Sequence, residues 1–184
     1  MNLNIPNCLT VLRIMLIPAI IYLFLSGSES SRTLAFFLFL IASITDYLDG
    51  FFARYMKQHT NFGEFLDPIA DKLLVIITLI LLISENNNIF FIIPVVIIIS
   101  REFLVIAIRQ RLAEVRGDYK LDVILISKIK TAIQFIALLM LLYGYPIYAI
   151  DIYSYGVYLL QIASALTLIS FSYYVKKSWN VIIK

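Results

Sequence analysis

Charge is scarce in this chain. Only 15% of its 184 residues are Asp, Glu, Lys or Arg, where soluble domains carry roughly 25%. With 61% hydrophobic residues and a mean hydropathy of +0.92, the composition excludes a soluble domain and points to an integral membrane protein. A single cysteine, Cys8, excludes an internal disulfide and any cysteine-built metal cluster. The single histidine, His59, sits in a polar stretch and reads as a solvated loop residue. A net charge of +3 is too small to suggest a nucleic-acid partner. The start has neither a basic region nor a small-residue cleavage site, so the first apolar stretch is expected to be retained. One multi-span domain covering 1–184 is expected, with little room for an extramembrane module.

Apolar runs are plentiful, and polar breaks divide them into six expected helices. These are Leu9 to Leu25, Leu34 to Arg54, Gly63 to Ile83, Ile89 to Arg109, Val123 to Leu142 and Ile152 to Val175. The fold class is therefore an all-α integral membrane protein with six transmembrane helices. An even number places both termini on one side. Of the fifteen Lys and Arg, only Arg32 falls in the breaks that would then face outward, so the positive-inside rule puts both termini in the cytoplasm. Tyrosines at 143, 145, 148, 153 and 155 suit the outer interfacial belt, and Tyr173, Tyr174 and Trp179 the inner one.

The few charges fall at one depth. From the outer end of each run, Arg13, Asp46, Asp71, Arg101 and Lys130 each lie twelve positions in. At about 1.5 Å per residue this is roughly 18 Å below the outer face, inside a hydrocarbon core of about 30 Å. Each submerged ionisable group costs roughly 2.5 to 3.5 kcal/mol on insertion scales. A purely structural network of salt bridges is one way to offset that cost. Buried ion pairs can often be replaced by apolar packing at no loss of stability, however, which favours a polar cavity open to the cytoplasmic side. The sixth run has no charge between Asp151 and Lys176 and is expected to pack against the bundle or a second subunit.

Asp46, Asp49, Gly50, Ala53, Arg54, Gly63, Asp67 and Asp71 form one pattern, Asp-x2-Asp-Gly-x2-Ala-Arg-x8-Gly-x3-Asp-x3-Asp. On helices the first acidic pair is spaced i,i+3 and the second i,i+4, so each projects from one face. Oxygen-only donors select a hard cation, Mg2+ or Mn2+, and four carboxylates could hold two of them. Two such ions are a recurrent clamp for displacement at phosphorus. Gly50 and Ala53 leave a strip with almost no side chain, where a large ligand could approach the backbone. Arg54 suits either contact with a diphosphate or snorkelling to headgroups. Deep cations at Arg101, Arg109, Lys128 and Lys130 imply an anionic acceptor, most simply a phosphate monoester. Arg109 and Lys128 suit a membrane-surface role almost as well. Submerged acids also fit an ion or proton carrier, but no halves related by symmetry and no glycine-broken helix support one.

The acidic pattern resembles the signature of the CDP-alcohol phosphotransferases at all eight specified positions. The opening Asn4-x-Pro6-Asn7-x2-Thr10-x2-Arg13-x4-Pro18, the triplet Ser100-Arg101-Glu102 with Arg109, and Lys128-Ile129-Lys130-Thr131 resemble the bacterial members that use glycerol 3-phosphate. Serine before Lys128 departs from the glycine expected there. The resemblance implies phosphatidyl transfer from CDP-diacylglycerol to glycerol 3-phosphate in the bacterial inner membrane, with CMP as product. It implies that Asp46, Asp49, Asp67 and Asp71 ligate two divalent ions and that Asp71 is also the base. It places the nucleotide donor against Asn7, Thr10, Arg13, Asp49, Gly50, Ala53, Arg54 and Gly63. Arg101, Arg109, Lys128 and Lys130 would bind the acceptor. A homodimer among membrane lipids is also implied. Within the family, inositol phosphate and phosphatidylglycerol are the rival acceptors.

Overall fold

The computed structural model describes residues 5–56, 61–116 and 125–182. Within them it describes every side chain except those of residues 5–8, 46–56, 61–65, 67, 68, 71, 113–116, 125 and 180–182. His59, and the side chains of Asn7, Asp46, Asp49, Gly50, Ala53, Arg54, Gly63, Asp67 and Asp71, lie outside the described residues. Among the described residues there are six helices: α1 (Ile5–Leu25), α2 (Glu29–Met56), α3 (Asn61–Glu85), α4 (Ile89–Arg116), α5 (Leu125–Tyr143) and α6 (Ile152–Ile182). They form two compact units, Met1–Glu85 with Leu138–Tyr153, and Asn86–Ala137 with Ser154–Lys184.

Three helical stretches among the described residues are long and apolar enough to cross a membrane: Ile89–Leu112, Ile126–Tyr143 and Ile152–Trp179. Leu9–Leu25 is a shorter apolar helix. Large apolar side chains such as Met15, Phe37, Ile80, Phe103 and Ile169 are exposed, an arrangement suited to lipid and costly in water. Each expected helix is found, but several run past their apolar core. α2 starts five residues before Leu34, and α4 and α6 each continue seven residues beyond Arg109 and Val175. Residues such as Gln110, Arg111 and Glu114 are good helix formers, so the backbone stays helical where the apolar run ends.

Helix ends follow from local chemistry. Ser28 caps α2, its Oγ accepting from the Ser31 amide at 3.1 Å, and Asn88 caps α4, its Oδ1 accepting from the Phe90 amide at 3.0 Å. Pro94 lies inside α4 and cannot donate to the Phe90 carbonyl one turn back. Gln161 of α6 supplies the missing donor through Nε2 at 3.2 Å.

α1 packs against α2 and α3 in the first unit. Arg32 fastens one end of that unit. The chain sequence suggests an outward loop residue, but Arg32 lies in the first turns of α2 and is half-buried. Its Nε donates to the Leu142 carbonyl at 3.1 Å and its Nη2 to that of Leu141 at 3.4 Å. The same Nη2 pairs with Glu85 at 2.8 Å, and the guanidinium lies 5.0 Å from the Phe24 ring centroid. α5 ends at Gly144, whose φ of 71° suits glycine, leaving its last carbonyls for a cation to satisfy. A Cβ on Gly144 would stand 3.0 Å from the guanidinium. Arg32→Ala is expected to lower stability by about 2 to 3 kcal/mol, the worth of charge-assisted hydrogen bonds left unmade. Thermal unfolding in detergent reads this, and Arg32→Lys should restore less than half because an ammonium lacks the planar fork.

Candidate functional site

The first unit builds its polar end by continuing apolar stripes. On α1 the buried positions are Thr10, Arg13, Ile17, Ile20 and Phe24, spaced three and four apart. That is the period of a helix face turned inward. The face is apolar toward Phe24 and polar toward Thr10, with Arg13 only 1% exposed. On α2 the buried stripe is Ala35, Phe39 and Ala42. The same spacing carried along α2 reaches positions 46, 49 and 53. On α3 the stripe runs through Leu74, Thr78 and Leu82 and, carried backward, reaches positions 71 and 67.

α1 packs against both α2 and α3, and positions 46–53 lie toward the end of α2 and 67–71 toward the start of α3. Both acidic pairs lie on uninterrupted helix, as their spacing predicts, with Asp46 and Asp49 in α2 and Asp67 and Asp71 in α3. Gly50, Ala53 and Arg54 follow in α2, and Gly63 stands in the first turn of α3. Asn7 is in the first turn of α1.

The second unit carries the deep cations. Arg101 on α4 and Lys130 on α5 are both buried, their side chains 10% and 4% exposed. They meet on a single atom. Oε1 of Glu102 accepts from Arg101 Nη1 at 2.9 Å and from Lys130 Nζ at 3.1 Å. Arg101 Nη2 also reaches Ser170 Oγ of α6 at 3.5 Å, and Ser170 shares a hydrogen with Ser127 of α5 at 2.8 Å. Arg109 is exposed, but its Nε donates to the Tyr174 hydroxyl of α6 at 3.0 Å. Lys128 is exposed and two residues from the buried Lys130, so the pair does not converge. Arg13, Arg101 and Lys130 are thus all buried, as their shared count from the run ends suggests.

Glu102, Ser127, Ser170 and Tyr174 escaped the sequence reading as members of this cluster. Consecutive helical residues ordinarily point apart, which hid the Arg101 and Glu102 pairing. α6 carries its own periodic signal: Ser164, Thr167, Ser170, Tyr174 and Ser178 recur at three- and four-residue intervals, and all are buried. The helix expected only to pack therefore also hydrogen-bonds the cations of α4.

Beyond this geometry, the sequence is similar to known proteins over nearly its whole length. The family model described as CDP-alcohol phosphatidyltransferase matches residues 3–170. A protein of Wigglesworthia glossinidia brevipalpis is 38% identical over 180 residues, covering 98% of this chain and 97% of that protein. One from Haemophilus influenzae is 40% identical, covering 96% and 94%, and one from Rickettsia typhi is 43% identical, covering 93% and 95%. All three are named CDP-diacylglycerol--glycerol-3-phosphate 3-phosphatidyltransferase.

The hydroxyl pair at the cluster's edge is open to measurement. Ser127→Ala and Ser170→Ala are each expected to cost about 1 kcal/mol of stability. The double variant should cost less than their sum, because both remove one shared bond, and a thermal or urea double-mutant cycle reads the difference.

Proposed function

Because the chain belongs to the CDP-alcohol phosphatidyltransferase family, we propose that it transfers the phosphatidyl group of CDP-diacylglycerol to glycerol 3-phosphate, forming phosphatidylglycerophosphate and CMP. The observation that carries this reading is the near-full-length likeness to transferases named for that reaction. The match runs through both compact units, which favours one catalytic domain over 1–184. The buried Arg101 and Lys130 suit an acceptor that bears a phosphate, whereas a neutral or zwitterionic alcohol would leave them without one.

Four carboxylates at i,i+3 on α2 and i,i+4 on α3 make a hard donor set that fits Mg2+ or Mn2+. Asp46, Asp49, Asp67 and Asp71 would hold two such ions, which when bound would neutralise the diphosphate and the departing nucleotide. Asp71 takes the proton of the acceptor hydroxyl. The freed oxygen attacks the phosphorus that carries diacylglycerol, and the bond from that phosphorus to the CMP oxygen breaks. Gly50 and Ala53 leave space for the nucleotide beside Asn7, Thr10 and Arg13, while Arg54 and Gly63 border the diphosphate. Arg101 and Lys130 hold the acceptor phosphate, with Arg109 and Lys128 on the same two helices. Positioning two anions against each other is the main barrier, and fixed cations lower it.

All six helices cross the bacterial inner membrane in this reading, with both termini and a polar cavity facing the cytoplasm, and two copies pair as a homodimer. The distribution of Lys and Arg supports the orientation. A lipid donor needs a site open to the bilayer, while a nucleotide and a sugar phosphate need access from the cytosol.

The direct test is detergent-purified protein supplied with CDP-diacylglycerol, a divalent ion and a panel of labelled alcohols. Glycerol 3-phosphate should enter lipid in preference to inositol phosphate, phosphatidylglycerol, serine and choline; another preferred acceptor overturns the assignment. Asp71→Asn should lower kcat by about 100- to 10,000-fold, the usual worth of a general base, with donor binding largely kept. Wild-type turnover in that variant removes Asp71 from the role. Arg101→Ala should raise KM for glycerol 3-phosphate by about 10- to 100-fold, the loss of a charge-assisted contact. The KM for CDP-diacylglycerol should move little in the same assay.

A further inference from the structure

We propose that the Glu102 carboxylate occupies the place of the acceptor's phosphate, and that the arriving phosphate displaces it from Arg101 and Lys130. The inference rests on the acceptor reading above. Its observation is the convergence of two cations, one on α4 and one on α5, upon the same oxygen of Glu102, at 2.9 and 3.1 Å. Two buried cations repel unless an anion lies between them. Glu102 supplies that anion from within the chain, and its charge keeps Arg101 and Lys130 aimed at a common point before any ligand arrives.

Three features mark the carboxylate as the member that leaves. First, it is the most exposed of the three side chains, 17% against 10% for Arg101 and 4% for Lys130. Second, Arg101 has another partner in Ser170, at 3.5 Å and itself bonded to Ser127, so the guanidinium keeps a contact when Glu102 goes. Third, Glu102 and a phosphate dianion held at the same point would repel each other. Arg101 Nε is also buried without a hydrogen-bond partner among the described residues, so the guanidinium retains a donor that Glu102 does not use.

Displacement makes Glu102 a specificity residue. A monoanion arriving in its place exchanges one negative charge for another and gains nothing. A phosphate monoester, with its second pKa near 6, brings close to two charges at neutral pH. The exchange therefore favours phosphorylated alcohols over carboxylates and unphosphorylated alcohols, at the expense of a weaker apparent affinity for every anion.

The test is the steady-state kinetics of the full-length Glu102→Gln variant, which keeps the side-chain shape and removes the competing charge. KM for glycerol 3-phosphate should fall about fivefold or more, and the KM for CDP-diacylglycerol should stay within about twofold. Inorganic phosphate, as a competitor of glycerol 3-phosphate, should inhibit correspondingly better, and glycerate should become an inhibitor. A raised or unchanged KM for glycerol 3-phosphate overturns the proposal, since Glu102 would then remain in place during binding. Should the variant not fold, Glu102→Asp retains the charge but is one methylene too short to bridge both cations. Its KM for glycerol 3-phosphate should fall by a smaller factor, and a rise overturns the proposal. Infrared difference spectra of wild-type protein labelled with 13C-glutamate need no variant. Adding glycerol 3-phosphate should shift a glutamate carboxylate band, and an unchanged spectrum overturns displacement. Failure of wild-type protein to use glycerol 3-phosphate would reject the acceptor reading itself, whereas use of that acceptor with a higher KM in Glu102→Gln rejects this inference alone.

Discussion

Arg101 and Lys130 are buried, and one carboxylate oxygen serves both. A charge in such surroundings must be matched by a group of the protein, and the kind of group decides what the charge can do. Arg32 shows the contrasting solution. Two backbone carbonyls at the end of α5 and the Glu85 carboxylate receive its guanidinium. Backbone carbonyls cannot rotate away without unwinding a helix, so Arg32 is committed to holding the first unit together. Glu102 is a side chain with rotatable bonds, so it can leave its cations without unwinding a helix. Burial of a cation is common to both cases; the mobility of its partner separates a fastening from a binding group.

The same economy governs how the helices carry chemistry. A helix that turns one face inward repeats its buried positions every three or four residues. On α1 that face changes along its length from Phe24, Ile20 and Ile17 to Arg13 and Thr10 without losing register. Carried through α2 and α3, the register that buries Ala35, Phe39 and Ala42, and Leu74, Thr78 and Leu82, arrives at the acidic pairs. On α1 the buried face that packs the helix also carries its polar residues, Thr10 and Arg13.

Much of this was legible in the chain. Polar breaks between apolar runs marked each of the six helices, three of which are long and apolar enough among the described residues to cross a membrane. The acidic pattern marked the family, whose model matches residues 3–170. Helix ends were less legible: Gln110, Arg111 and Glu114 continue α4 in a medium where apolarity no longer matters. Arg32 stands in the polar break between two apolar runs, where sequence alone suggests a loop, whereas it is held in α2 by partners 53 to 110 residues away in sequence. Glu102 was hidden by adjacency. Ser127, Ser170 and Tyr174 were hidden because hydroxyls hardly alter the apolar character of a helix, although their spacing on α6 repeats with the helical turn.

Hydroxyls are also the physically apt partners for those cations. A further carboxylate beside Arg101 would lower its attraction for an anionic acceptor, and a further cation would add a buried charge with its own cost. Ser170 and Ser127 fix the guanidinium without changing net charge, and Tyr174 does the same for Arg109. Ser164, Thr167 and Ser170 are also small enough to let α6 approach its neighbours closely, as membrane helices require when lipid offers no hydrophobic drive for association. One stripe thus serves close packing and cation placement together. Ser170 and Tyr174 bring neutral hydroxyls to the cations of α4, from a helix without a single charge between Asp151 and Lys176.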